Sequence, residues 1–194
     1  MAGTYSLITH WKKTKTNSLI VPGLIGIVTG WTGHSVLAMN VCPSQHPWTS
    51  VDDCALFNNR AILENPSMIN EHPNLIPYNL TYCTPTGTQH LCYSQKIPHV
   101  RDLKDHNPLI VLNYNYPNCL LSSFNSPGRL QYLYRHPLTT ENLVFKSLQV
   151  KGLTDSWITI HSCLFNLTHG YVYLSLENGY AGDGEYHKIP LDLI

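Results

Sequence analysis

The chain is 194 residues long, with 12 Lys and Arg residues against 12 Asp and Glu residues, and only 12% of its residues are charged. Its length limits it to one domain or at most two small ones, and its 43% apolar content argues against an intrinsically disordered protein. A formal net charge of zero offers no basic surface to a phosphate backbone, so nucleic-acid binding has no electrostatic support.

The N-terminal segment has the order of a secretory leader. Lysines precede an uncharged, apolar-biased run over Ser18–Trp31. Val36 and Ala38 then place small or modest side chains at the positions that a signal peptidase reads for a cut after Ala38. This order predicts a signal peptide over residues 1–38 and a mature chain over residues 39–194. The run is too short and too rich in Gly and Pro to cross a membrane as a helix, so a permanent span is the weaker prediction.

Two alternatives for this segment stay open. The leader could remain uncleaved as an anchor, or Leu19–Trp31 could form a buried strand or loop of a cytosolic protein, an interpretation that the long polar lead before it favours.

Two Asn-x-Thr sequons, at Asn79 and Asn166, fall within the predicted mature chain. Such sequons accept N-linked glycans in secreted proteins, where they lie in surface loops. We therefore expect glycosylation at both sites, with Asn79 on the surface of a proline-rich stretch.

All the cysteines also follow the predicted cleavage site. In an oxidising compartment an even number of cysteines predicts up to three disulfides, although spacing alone cannot choose the pairing. The six cysteines are Cys42, Cys54, Cys83, Cys92, Cys119 and Cys163. The pairing that we favour joins Cys42 to Cys54, Cys83 to Cys92 and Cys119 to Cys163. Zinc ligation through Cys83, His90 and Cys92 is the alternative, but it lacks the paired Cys-x2-Cys spacing of structural sites.

The first half of the mature chain, residues 39–106, is predicted to be loop-rich with one helix. Ser50 and Asp53 have the spacing of an N-terminal cap, apolar residues follow at helical spacing as far as Leu63, and Pro66 stops the pattern. Repeated prolines beyond that point predict loops and short edge strands.

The second half, residues 107–194, is predicted to be the β-sheet core. Short apolar and β-branched runs are separated by turn residues, without helical periods between them. The predicted strands are Leu109–Tyr116, Leu130–Tyr134, Leu143–Val150, Trp157–Phe165, Tyr171–Leu176 and Tyr186–Leu191. The fold class is therefore mainly β: an antiparallel sandwich or open barrel with one short N-terminal helix, stabilised by disulfides.

The histidines do not form a recognisable catalytic pattern. No zinc-protease motif, nucleophile elbow, phosphate loop or catalytic-cysteine signature occurs in the sequence, and we expect no cofactor and no resident metal. A secreted hydrolase that uses His161 or His169, with an unidentified nucleophile, is the alternative function.

Tyrosines are the better indication of function, because a tyrosine combines a wide contact area and a polar tip with little entropy to lose. Eight of them lie in or beside predicted strands: Tyr114, Tyr116, Tyr132, Tyr134, Tyr171, Tyr173, Tyr180 and Tyr186. We select Tyr114, Tyr116, Tyr132 and Tyr134 as candidate binding residues.

These features together predict a non-enzymatic, secreted or surface-displayed glycoprotein domain that binds a receptor or another surface protein. In its basic leader, low charge, sequons and cysteines, the organisation resembles the receptor-binding part of a viral envelope or accessory glycoprotein. A structural subunit that needs a partner chain is a further alternative.

Overall fold

The computed structural model describes residues 7–20, 26–41, 55–70, 78–93, 99–103, 111, 126–150, 161–176 and 181–192. Within these ranges the chain forms a seven-stranded and a three-stranded sheet, both antiparallel, together with three α-helices. The mainly β class is confirmed, and the arrangement is consistent with a β-sandwich.

The large sheet is a meander in which neighbouring strands follow one another along the chain. Its strands are β1 (Leu7–Trp11), β2 (Thr16–Ile20), β3 (Thr29–Trp31), β4 (Val36–Val41), β5 (Tyr78–Thr84), β6 (Gly87–Tyr93) and β7 (His99–Leu103). The β1–β2 turn contains Lys15 with a positive φ of 51°, and a tight turn between Thr84 and Gly87 connects β5 to β6. Such short connections favour antiparallel pairing of consecutive strands.

The segment predicted as a removable leader forms β1, β2, β3 and the first half of β4. Leu19 and Leu37 are fully buried, and Ala38 pairs with Thr29 on one side and Thr81 on the other. A cut after Ala38 would fall within β4. The alternative of buried strands matches the described part of the segment, and proteolytic removal of the leader stays a prediction.

One face of the large sheet is covered by the predicted helix, α1 (Ala55–Glu64), and by a 3-10 turn over Pro66–Asn70. Their buried side chains and those of the sheet form a first core: Ile27, Leu37, Ile62, Leu63, Ile69, Tyr78, Leu80, Tyr82 and Leu91. α1 approaches the backbone closely at Gly26, which has a φ of 121°. A Cβ added at Gly26 would lie 2.4 Å from the Cβ of Leu56. Only glycine tolerates that backbone and that contact.

The small sheet consists of β8 (Ser162–Asn166), β9 (Tyr171–Ser175) and β10 (His187–Pro190), with β9 in the centre. The strands predicted over Tyr171–Leu176 and Tyr186–Leu191 are confirmed, and β8 lies within the one predicted over Trp157–Phe165. Alternate residues of β9, Val172 and Leu174, pack against the large sheet in a second core. The buried members of this core are Leu19, Trp31, Val36, Val172, Leu174 and Leu191. This shared core holds the two sheets together.

Two predicted strands are wrong, because they are helices. The residues predicted as the strand Leu130–Tyr134 lie in α2 (Ser126–Arg135), and most of those of Leu143–Val150 lie in α3 (Glu141–Leu148). The side chain of Thr140 caps α3 by accepting a hydrogen bond from the backbone N–H of Leu143, which satisfies one of the free donors of the first turn. Of the predicted strand Leu109–Tyr116, all but Val111 lies outside the described residues.

The prediction that residues 39–106 are mainly loop is also wrong. This region supplies the second half of β4 and the whole of β5, β6 and β7, which pair through continuous registers. Its prolines lie outside these strands, so none of them interrupts a ladder.

The cysteines that can be placed do not form the predicted bridges. Cys83 lies opposite Thr88 and Cys92 opposite Asn79 in the β5–β6 register, which separates the two cysteines by about 13 Å along the strands. That exceeds the Cα separation that a disulfide spans. Both Cys83 and Cys163 are free thiols, so the predicted Cys119–Cys163 bridge is absent as well. The predicted Cys42–Cys54 pair lies outside the described residues.

Candidate functional site

An aromatic cluster lies on the face of the small sheet that points away from the shared core. Val172 is buried in that core, whereas its neighbours Tyr171 and Tyr173 are half-buried on the opposite face because side chains alternate along a strand. Tyr173 pairs directly with Lys188 of β10, and Phe145 of α3 packs over the same face. We call Phe145, Tyr171, Tyr173, Tyr186 and Lys188 the tyrosine patch.

The rings of the patch fix one another. Phe145 meets Tyr173 edge to face with ring centroids 5.3 Å apart, and Tyr171 meets Tyr173 at 5.3 Å in the same manner. Phe145 also contacts Tyr186 at 4.5 Å, and the Tyr186 hydroxyl donates to Oγ of Ser162 at 2.7 Å. Such edge-to-face contacts are favourable beyond simple burial. The patch is therefore ordered before any partner arrives.

A lysine lies across the exposed side of these rings. Nζ of Lys188 is 3.8 Å from the ring centroid of Tyr171 and 5.6 Å from that of Tyr173, within the range of cation–π attraction. The ammonium group remains exposed, so the patch combines a cation with aromatic surface.

A hydrogen-bonded network, which we call the Glu141 network, borders the patch. Oε2 of Glu141 accepts from the Tyr171 hydroxyl at 2.8 Å and from Nδ2 of Asn166 at 2.7 Å. The same Nδ2 donates to the Tyr171 hydroxyl oxygen at 3.1 Å. Oδ1 of Asn166 accepts from the backbone N–H of His169 at 3.0 Å and from its Nδ1 at 3.1 Å. The network joins the start of α3 to the β8–β9 turn.

The network also sets the charge state of its members. Hydrogen bonds from Tyr171 and then from Asn166 lower the pKa of the Glu141 carboxyl, because they stabilise its charged form. The bond to Glu141 raises the pKa of the Tyr171 hydroxyl, because the proton is held between the two oxygens. A neutral hydroxyl and a carboxylate therefore stand side by side at neutral pH.

The tyrosines selected from the sequence do not form this site. Tyr132 and Tyr134 lie on α2, where Tyr132 stacks on His136 at 4.1 Å and Tyr134 is 72% exposed. Tyr114 and Tyr116 lie outside the described residues. Tyr171, Tyr173 and Tyr186 belonged to the wider set of strand tyrosines.

The partners of those tyrosines were not predicted from the sequence. Phe145 and Glu141 were assigned no role, because the helix that brings them to the small sheet was predicted as a strand. Lys188 could have been found from the sequence, because the alternation of side chains along the predicted strand Tyr186–Leu191 places it on the same face as Tyr186.

The two sequons have opposite environments. Asn166 begins the β8–β9 turn, whose Thr168 and His169 are exposed. Asn79 is only 1% exposed in the middle of the large sheet, so its predicted surface position is wrong. A glycan cannot be attached to Asn79 in this fold without displacing the surrounding structure. Glycosylation at Asn166 stays a prediction.

His161, the histidine singled out in the sequence, lies at the junction of the two sheets. Its Nε2 is 3.5 Å from the hydroxyl of Thr29 on β3, and its Nδ1 is buried with no hydrogen-bond partner in the described structure. Desolvation lowers the pKa of His161, which keeps the ring neutral. Burial likewise raises the pKa of the nearby Cys163 thiol to about 12. This pair offers neither a thiolate nor an oriented base.

Among the described residues, no helix is long and apolar enough to cross a lipid bilayer. No known protein-family model and no curated protein matches the chain.

Proposed function

We propose that this chain is a non-enzymatic binding domain that recognises a receptor or another surface-displayed protein through the tyrosine patch. The observation that carries this proposal is the set of interlocked rings around Tyr171 and Tyr173, half-exposed and held in place by Lys188 and Glu141. Protein interfaces concentrate binding energy in such aromatic residues. Ordering them in advance reduces the entropy lost on association.

The chemistry of the patch suits a protein partner. Glu141 is an exposed acceptor and Lys188 an exposed donor, and aromatic rings lie between them. A partner surface with an apolar centre and a polar rim of both signs matches that pattern. The surroundings of His161 and Cys163 favour binding over the alternative of a secreted hydrolase, because neither group is poised for proton transfer or attack.

Location outside the cell is part of the proposal, and the sequon at Asn166, which lies in a surface turn with an exposed Thr168, supports it. The free thiols of Cys83 and Cys163 and the buried Asn79 give it no support.

The test is saturable binding of the fluorescently labelled chain, produced in bacteria and therefore without N-linked glycans, to the surface of a panel of cultured cells. Tyr171→Ala is expected to weaken binding by roughly 30-fold, which corresponds to about 2 kcal/mol for a central interface tyrosine. Tyr134→Ala is the matched control, since it removes an exposed tyrosine of α2, which contributes nothing to the patch. Circular dichroism would verify that both variants fold. Equal binding by the two variants, or no saturable binding by wild type, would refute the proposal.

A further inference from the structure

We infer that a glycan on Asn166 and the binding of a partner by the tyrosine patch are mutually exclusive, so that the sequon acts as a covalent off-switch for the patch. This inference rests on the proposed function, because it assigns a regulation to the same surface.

The nitrogen that would accept the glycan is the one that holds the Glu141 network together. Nδ2 of Asn166 has two hydrogens, as in any primary amide. One is donated to Oε2 of Glu141 at 2.7 Å and the other to the Tyr171 hydroxyl oxygen at 3.1 Å. Both hydrogens are therefore in use in the unmodified protein.

Glycosylation removes one of these hydrogens. A bond forms between Nδ2 and C1 of the sugar, and the bond from C1 to a lipid-linked diphosphate oligosaccharide breaks. The diphosphate leaves with the electron pair, and one Nδ2 hydrogen is released as a proton to a base of the transferring enzyme. The single N–H that remains can serve Glu141 or Tyr171 but not both, and the first sugar takes the place of the lost contact beside Tyr171.

The turn allows the sequon to be removed without touching the network. Thr168 supplies the third position of the sequon, and its side chain is exposed and makes no hydrogen bond within the described structure. Thr168→Ala abolishes the acceptor signal and leaves Asn166, Glu141 and Tyr171 in place. Thr168→Ser keeps the signal and is the matched control.

The experiment uses the full chain produced by secreting eukaryotic cells. Peptide mass spectrometry is expected to find a glycan on Asn166 in wild type and Thr168→Ser, and none in Thr168→Ala. In the cell-binding assay described above, Thr168→Ala is expected to bind at least about tenfold more tightly than the glycosylated forms. Hydrogen exchange at the His169 amide, which donates to Oδ1 of Asn166, should be faster in the glycosylated protein.

Trimming the glycan to a single sugar distinguishes two effects: the loss of a hydrogen bond from Nδ2 of Asn166, and steric blocking of the patch by the rest of the glycan. The trimmed protein should still bind weakly, because the N–C1 bond remains. Recovery of full binding after trimming, equal binding and exchange by glycosylated and unglycosylated forms, or an unmodified Asn166 in wild type would each overturn the inference. If no form binds, the proposed function fails, and equal exchange at His169 would separately show that the sugar leaves the network intact.

Discussion

A chain that starts at Met39 is expected not to fold, because the segment before it supplies half of the core between the sheets. Val172, Leu174 and Leu191 are each no more than 2% exposed, and they pack against side chains of residues 1–38. Deleting that segment leaves these three side chains without their cover.

The loss in the free energy of unfolding can be estimated from the buried side chains that remain after the deletion. Full burial of a Val or Leu side chain contributes about 1.5–3 kcal/mol, so exposing these three costs together about 5–9 kcal/mol, as an upper estimate. The whole free energy of unfolding of a typical domain is about 5–15 kcal/mol. The deletion also turns β4 into an edge strand, because its partner β3 is removed with the segment.

Urea denaturation followed by circular dichroism measures this directly on chains 1–194 and 39–194. The long chain should unfold in one cooperative transition and the short chain should show none. A matched pair of point variants serves as a control, because Ile8 and Leu19 lie directly opposite each other in the β1–β2 hairpin. Leu19→Ala should cost about 2–5 kcal/mol, as for other buried leucines. Ile8→Ala should cost less, since Ile8 is 40% exposed. Cooperative unfolding of 39–194 at the midpoint of the full chain would refute this reasoning.

Three other predictions concern titration, glycosylation and the thiols. The pKa of His161 is lowered in the folded state, so the unfolded chain binds the extra proton first as the pH falls below about 6.5. The free energy of unfolding should therefore fall by up to about 1.4 kcal/mol per pH unit between about pH 6.5 and the folded-state pKa. In urea melts at a series of pH values, His161→Gln should lose this pH dependence. The control His136→Gln, at an exposed position, should keep the pH dependence. Because Asn79 is buried, Thr81→Ala should leave the glycan mass of secreted protein unchanged, and a loss of mass would contradict the fold at β5. Alkylation in denaturant without reductant should label Cys83 and Cys163, and a peptide map with Cys83 linked to Cys92 would contradict the β5–β6 register.

The elements that could be predicted from the sequence are those whose local signals agree. α1 combines helical spacing with a stop at Pro66, and β9 alternates tyrosines with the buried Val172 and Leu174. The β5–β6 turn has Pro85 at its centre and is followed directly by Gly87. In each case the neighbours along the chain are sufficient to specify the structure.

Prolines that precede strands or begin a helix led to wrong predictions of secondary structure. Pro77 directly precedes β5 and Pro98 directly precedes β7, so these prolines mark where strands begin rather than where they are impossible. Ser126-Pro127 has the composition of a turn, yet proline is also favoured in the first turn of a helix, and it lies at the start of α2 here. Residues with high strand propensity then continue as helix, because propensity is a weak constraint compared with packing.

The N-terminal segment shows why one pattern can indicate two functions. An uncharged run of Leu, Ile and Val interrupted by Gly and Pro satisfies a signal peptidase and also a pair of short buried strands, because both need apolar side chains without charge. Buried strands also require long-range pairing, and the register of Ala38 with Thr81 joins residues that lie far apart in the chain. The same holds for the tyrosine patch, where Glu141 and Tyr171 are separated by 30 positions. A site built across α3 and the small sheet depends on tertiary contacts that local sequence patterns do not contain, and its function is therefore best tested through the residues that make those contacts.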